Sequence, residues 1–435
     1  MKKLYLPLLL GVLAGSSAVR AENLMEIYQL ALDNDPQLRA ALATRNSTLE
    51  VRPQAESRLL PAVNLSSGAN LVRSDVNNSA SGGSLNNYAT AALSLNLSQS
   101  VYREEYNIQL DQADKQIAQA EVTYAAEEQS LILRVAQAYF NVLSAEDSLE
   151  FARAENAAIA RQLDQAKQRF EVGLIAITDV HEAQAAFDQS RADLIQAENA
   201  LDNAREAQQE IIMQSVDQLT PLAEELPLNP PQPQNPERWA ETAQTQNLSL
   251  QAALFGVDIA RMNIDLQDAG DSPTVDLVGS HALNLSSSRN GTDAQTTTIG
   301  VQLNVPLYTG GAVNSRTRQA RFDYQAAQEN LDRQRRSVNR TVRDAYRGVL
   351  TSISTVEALK ASTISAQSAL EATEAGFEVG TRTMVDVLNA QRDLFRARSN
   401  YSKVRYDFIL NGLQLKQATG TLSVEDLQQV NSWLR

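Results

Sequence analysis

What most limits the fold of this chain is that it repeats itself. Shifted by 207 positions, Phe170-Glu171-Val172-Gly173 falls on Phe377-Glu378-Val379-Gly380, Asp179-Val180 on Asp386-Val387, and Ala183-Gln184 on Ala390-Gln391. Eight of fifteen positions are identical, where chance gives about one. A shift of 212 aligns the earlier part of each half: Leu38, Ala40, Ala41 and Leu42 on Leu250, Ala252, Ala253 and Leu254, then Pro61, Val63 and Leu65 on Pro273, Val275 and Leu277. The reading is two structural repeats, 22–220 and 238–435, joined by a linker over 221–237 in which Pro221 to Pro236 include six prolines. Whatever one half folds into, the other must fold into as well.

Each half carries two long helices with coiled-coil spacing. Val135, Ala138, Val142, Ala145, Leu149, Ala152, Asn156, Ile159, Leu163, Ala166 and Phe170 follow alternating steps of three and four, as do Val342, Ala345, Val349, Ser352, Val356, Leu359, Thr363, Ala366, Leu370, Thr373 and Phe377. Such steps are the seam of a heptad helix. The spacing resumes after each Val-Gly, at Val180, Ala183, Phe187 and Ser190 and at Val387, Ala390, Leu394 and Ala397. Large residues at one seam position and small ones at the other let helices pack closely. A helix from about Tyr102 to Phe170 would reach roughly 100 Å, a length for a strut or conduit. Each Val-Gly is then the far end of a helical hairpin, with tips near 173 and 380.

Four segments alternate instead with period two. They are expected as strands at about 61–72, 88–98, 273–286 and 296–306, joined in pairs by polar loops, Arg73 to Asn87 with Gly82-Gly83 and Ser286 to Thr296 with an Asn290-Gly291 turn. Runs near ten residues with one apolar and one small polar face have the dimensions of transmembrane barrel strands. They would equally form a soluble four-stranded sandwich with the apolar faces together. Four strands cannot close a barrel, since about eight is the minimum, so a spanning protein must be a dimer, trimer or tetramer of 8, 12 or 16 strands.

The ends and the composition narrow the setting. Lys2 and Lys3 precede an apolar run from Leu4 to Ala14 and small residues up to Ala21, a cleavable export signal over 1–21 that is too short to span a bilayer. Removing it leaves 35 basic against 52 acidic side chains, a balance that repels nucleic acid. Zero cysteines and two histidines exclude disulfides and thiolate chemistry. His181 and His281 have no second ligand at helical spacing, so no metal or other cofactor is expected. Without a glycine-rich phosphate loop, nucleophile elbow or HExxH, no enzyme activity is expected either.

Glu22-Asn23-Leu24-Met25, the stretch from Gln162-Leu163 through Arg169-Phe170-Glu171-Val172-Gly173 to Thr178-Asp179-Val180, and Gly380-Thr381-Arg382-Thr383-Met384-Val385-Asp386-Val387-Leu388 together resemble the outer-membrane efflux protein family across essentially the whole mature chain. The resemblance implies a mainly α fold with a β-barrel: a homotrimeric, 12-stranded outer-membrane barrel continuing into a 12-helix periplasmic coiled-coil barrel. It implies an exit duct for tripartite efflux pumps and type I secretion systems. The implied partners are outer-membrane lipid, a periplasmic adaptor and an inner-membrane transporter of the resistance-nodulation-division, major facilitator or ABC type. By the same resemblance Val172, Gly173, Leu174, Val379, Gly380 and Thr381 receive the adaptor. Asp179, Arg382 and Asp386 form the periplasmic gate, Arg382 tying neighbouring helices through Asp179 and Asp386 supplying a carboxylate ring that favours cations. Well-known members have tyrosine where Phe377 stands and a second aspartate where Asn389 stands. The second functional class, drawn from pattern alone, is an exported structural coiled coil with a soluble sandwich.

Overall fold

The structure is a computed structural model that describes residues 21–76, 84–216, 218–287 and 292–435. In chain order its elements are α1 (Leu24–Asn34), α2 (Pro36–Leu49), α3 (Val51–Ser57), β1 (Ala62–Val76), β2 (Ser84–Tyr102), α4 (Glu104–Glu171), α5 (Ile177–Ile212), α6 (Pro236–Gln246), α7 (Leu248–Asp268), β3 (Thr274–Ser286), β4 (Ala294–Asn304), α8 (Ala312–Glu378), α9 (Met384–Thr419) and α10 (Val424–Asn431). They group into two compact units. One comprises the described residues up to 38 with 128–239 and 342–435; the other comprises 39–127 and 240–341. The helices α4 and α8 each contribute a segment to both. The proposed signal segment, Gly82-Gly83 and Asn290-Gly291 lie outside the described residues, apart from Ala21 at the signal's end.

The second unit holds a four-stranded antiparallel sheet in the order β1-β2-β3-β4. Register decides its chemistry, because a slip of one residue would exchange its faces. Val63 pairs with Leu97 and Leu65 with Leu95, Leu93 with Leu283, and Leu277 with Val301 and Val275 with Leu303. The apolar parities of all four strands therefore share one face. The other face carries Asn64, Ser66, Ser94 and Asn96, with the Ser66 and Ser94 hydroxyls 2.7 Å apart. In a sandwich the apolar face would be covered. Here Leu71 is 92% exposed, Ile299 80% and Leu65 68%.

Several strand bounds depart from the sequence expectation: β2 runs on to Tyr102 rather than stopping at 98, so α4 starts only at Glu104, and β4 begins at Ala294 rather than 296. Residues 73–76 and 84–87, expected as loop, continue the β1–β2 ladder out to Val76 opposite Ser84. The last strand ends at Asn304 rather than 306. At the sheet's helical end Arg103 grips Asp276 with two hydrogen bonds of 3.3 and 2.9 Å, tying the β2–α4 junction to β3.

The other unit is a helical bundle. Asn23 caps α1, its side chain accepting from the Met25 and Glu26 amides while the Glu26 carboxylate accepts from the Asn23 amide, a reciprocal capping box. Leu24, Ile27, Tyr28 and Ala31 on its inner face are buried. Tyr139 is buried from α4 and donates to the Thr220 carbonyl at 2.7 Å, while Phe140 stacks on Tyr406 with ring centroids 5.6 Å apart. The Asp35 carboxylate is 3% exposed and held by both guanidinium nitrogens of Arg134 at 3.0 and 2.8 Å. A buried carboxylate tolerates that position only when paired and hydrogen-bonded. The linker is corrected at its end: Pro236 opens α6, where its missing amide proton costs nothing.

Candidate functional site at the helical hairpin tips

Both hairpins belong to the bundle unit and close in the same way. At the first tip Gly173 has φ of +76°, its amide donates to the Phe170 carbonyl at 2.9 Å, and the Leu174 amide donates to Arg169 at 2.8 Å. At the second, Gly380 has φ of +78°, its amide donates to Phe377 at 3.1 Å, and the Thr381 amide donates to Gly376 at 2.8 Å. This paired pattern with glycine in the left-handed region is the Schellman motif, and a side chain there would cost about 1–2 kcal/mol. Above the turns, Ile159, Leu163 and Ala166 of α4, Ala183 and Ala186 of α5, and Met384 and Leu388 of α9 form one buried cluster. Leu370, Val387 and Leu394 form a second, and Phe377 packs against both. Burying each large aliphatic side chain stabilises the pairing of the hairpins by about 1.5–3 kcal/mol.

The turns themselves are bare. Val172, Leu174 and Val379 are 70%, 73% and 75% exposed, so each tip offers apolar side chains around a glycine with open space above it. All six docking candidates lie in these two turns.

The charged candidates differ between the halves. Asp386 sits at the third position of α9 and closes a capping box with Thr383: its Oδ2 accepts from the Thr383 amide and hydroxyl, both at 2.9 Å. Those bonds, followed by the Arg382 charge, hold its carboxyl below the ordinary aspartate range. Oδ1 takes no part in these bonds and is left for another ligand. Asp179 has the equivalent position in α5, but the cap residue there is Ala176, which offers no side-chain acceptor. The expected Arg382–Asp179 tie is not made within the chain: among the described residues no ion pair joins them. The Arg382 stem instead lies across α8, where a Cβ added to Gly376 would come within 2.7 Å of Arg382 Cγ.

One pair escaped sequence reading. The Arg169 guanidinium lies over the Phe377 ring, 4.7 Å from its centroid, a cation–π contact from α4 to α8. A signal for it exists: at the 207-residue shift Arg169 falls on Gly376 and Ala176 on Thr383, the divergent positions beside an identical Phe-Glu-Val-Gly.

Of the two histidines, His181 is exposed on α5 and His281 joins a polar cluster on the sheet. His281 on β3 meets Thr297 Oγ1 at 2.8 Å through Nδ1 and Gln295 Nε2 at 3.2 Å through Nε2. Among the described residues no cluster of His, Asp and Glu could hold a metal, and no helix is long and apolar enough to cross a membrane.

A sheet with an uncovered apolar face and two coiled-coil hairpins with exposed apolar turns define a membrane-anchored conduit. Comparison with known proteins gives the same class. The family model described as outer membrane efflux protein matches residues 27–212 and 239–421. The chain is 48% identical to the outer membrane protein TolC of Vibrio cholerae over 100% of this chain and 99% of that one. It is 30% identical to the proteases secretion protein PrtF of Dickeya chrysanthemi over 97% and 93%. Its fold matches the crystal structure of the Campylobacter jejuni CmeC outer membrane channel with a TM-score of 0.80 at 17% identity, covering 95% and 90% of the two chains. The chain belongs to the outer membrane efflux protein family. It is an outer-membrane exit duct of the efflux and type I secretion class, with its helical part in the periplasm.

Proposed function

We propose that three copies of the chain form one continuous duct, each repeat (22–220 and 238–435) giving two strands and one hairpin. The observation that carries this is the sheet itself: β1 and β4 are its two edges, and its apolar face is exposed. In hydrocarbon an open edge leaves unpaired amides and carbonyls at several kcal/mol each, so β4 of one copy must pair with β1 of the next. Residues 1–21 serve as the export signal. The protein has no chemistry of its own to supply energy; an inner-membrane transporter of the resistance-nodulation-division, major facilitator or ABC type does so through a periplasmic adaptor.

The adaptor engages Val172, Gly173 and Leu174 at one tip and Val379, Gly380 and Thr381 at the other, where apolar side chains stand uncovered beside glycine backbone. Asp179, Arg382 and Asp386 form the gate. Because Arg382 has no ion pair with Asp179 inside the chain, its tie runs between copies. The free Oδ1 of Asp386 from each copy gives a ring of partial negative charge at the entrance, favouring cations. Asn389 in place of a second carboxylate weakens that ring. Planar-bilayer conductance of the detergent-purified protein tests the assignment. Small cation-selective currents, blocked by millimolar divalent cations on the tip side and enlarged several-fold by Arg382→Ala with Asp179→Ala, are expected. Unchanged conductance in the double variant would put the lock elsewhere, and no current from a folded protein would remove the channel reading.

A further inference from the structure

The strand register places one rim of the sheet at the start of β1, the end of β2, the start of β3 and the end of β4. That rim is uncovered and apolar. Leu60, Val101, Tyr102 and Val305 are exposed, and Leu307 and Tyr308, which follow β4, are 93% and 88% exposed. Tyrosines beside aliphatic residues at the end of a barrel wall mark the boundary between hydrocarbon and headgroups.

Immediately beyond this rim α8 begins, and its charge is anomalous. Between Ala312 and Arg340 seven arginines stand against three acidic residues, in a chain whose overall charge is −14. Arg316, Arg318 and Arg321 come first and all three are exposed; Arg316 and Arg321 flank the buried stripe of Val313, Thr317 and Ala320, and Arg318 lies on the outer side of the helix. Among the described residues no ion pair or hydrogen bond occupies any of them. Two neighbouring cations are engaged, Arg103 with Asp276 and Arg58 with Gln109.

Helix geometry leans all three arginine side chains toward the sheet. At about 1.5 Å per residue their Cα atoms lie roughly 6 to 14 Å into the helix. Side chains on a helix lean toward its N-terminus, here toward the sheet. A long arginine stem therefore reaches back to the interfacial layer, which is about 5–8 Å thick on each side of the hydrocarbon. We propose that Arg316, Arg318 and Arg321 bind the phosphates of anionic phospholipids in the periplasmic leaflet of the outer membrane, forming a lipid-selective collar below the apolar rim. Guanidinium suits this ligand because its planar donors match phosphate oxygens in pairs. The proposal rests on the membrane placement of the sheet, so its test scores insertion separately.

The purified assembly in detergent is titrated with dioleoyl phosphatidylglycerol, dioleoyl phosphatidylcholine or inorganic phosphate, and the midpoint of its heat-dependent dissociation is read on a gel. Flotation with phosphatidylcholine liposomes reports insertion independently. Phosphatidylglycerol is expected to raise the midpoint more than phosphatidylcholine, with the excess lost at high salt. In the triple variant Arg316→Gln, Arg318→Gln and Arg321→Gln, half-saturation should need up to about a hundredfold more phosphatidylglycerol, from about fivefold per arginine. Flotation should be unchanged, and Arg333→Gln, Arg336→Gln and Arg340→Gln should leave the lipid response intact. An undiminished response in the first triple variant would overturn the proposal. So would an equal effect of the two lipids, or a response to inorganic phosphate as large as to phosphatidylglycerol. A loss of thermal stability that is the same with or without lipid would instead assign the arginines to contacts between copies. Loss of flotation in the unaltered protein would overturn the membrane placement itself.

Discussion

At the scale of single residues the two tips are the same turn with different locks. The backbone half was legible in the sequence, because a Phe-Glu-Val-Gly that interrupts a heptad twice needs a left-handed residue at the same place twice. The side-chain half was legible only in part. Asp386 was assigned to a gate from resemblance, but what its carboxylate does inside the chain depends on a hydroxyl three residues earlier, and Ala176 against Thr383 sets the two tips apart. The consequence is a pH response at the second tip. Thr383 holds the folded-state pKa of Asp386 down, so the stabilisation is present above the unfolded value near 3.9 and is lost as pH falls through the folded value. Hydrogen exchange across the first turns of α5 and α9 should therefore diverge below about pH 4, with α9 losing protection relative to α5. Asp386→Asn should abolish the divergence. A protection ratio that stays constant from about pH 6 to pH 3 would show that the cap does not stabilise this tip.

Elements were read from period, and they failed where the period carries no signal. Apart from Phe170 at the first tip, which is exposed, the heptad seams of α4 and α8 fall on buried or half-buried positions such as Val135, Val142, Ile159 and Leu163 in α4, and Val342, Val349 and Val356 in α8. The strands were found wherever apolar and small polar residues alternate. They were cut short over 73–76 and 84–87 because those stretches are largely polar at both parities, while the backbone ladder runs on regardless of hydropathy. Pro236 belongs with the linker on the rule that proline breaks a helix, yet the first helical position is the one it suits. The exposed tip residues permit an element-scale test, since Val172 and Val379 contact too little to matter for folding. Val172→Asp with Val379→Asp should change stability by no more than about 0.5 kcal/mol per site. Bilayer conductance should stay as it was, and copurification of the cognate adaptor should fall at least roughly tenfold, since a desolvated carboxylate would oppose an apolar groove. Full retention of the adaptor by a folded double variant would move the docking surface away from the turns.

For the whole molecule, what a single chain leaves unfinished specifies the assembly. Its sheet ends in two open edges, β1 of 15 residues and β4 of 11. The strands alternate in direction, so in the proposed assembly β4 of one copy would meet β1 of the next antiparallel. Exposed backbone on either edge cannot enter hydrocarbon unpaired, so closure and insertion have to occur together, and a monomer should stay outside the bilayer. The chain contains no cysteine, which makes the closure directly measurable. Ser66 on β1 shares the small polar face with Thr296, Thr298 and Gly300 on β4. Ser66→Cys combined in turn with Thr296→Cys, Thr298→Cys or Gly300→Cys should give, in one register, Cβ atoms close enough for a disulfide, about 3.5–4.5 Å apart. Oxidation of that variant in membranes should yield one closed species with the mass of three chains that resists boiling in detergent, and reduction should return the single chain. Covalent species stopping at two chains, or a ladder running past three, would contradict a 12-stranded barrel. The pair that links would also fix the register between copies, and with it the stagger that sets the width of the pore.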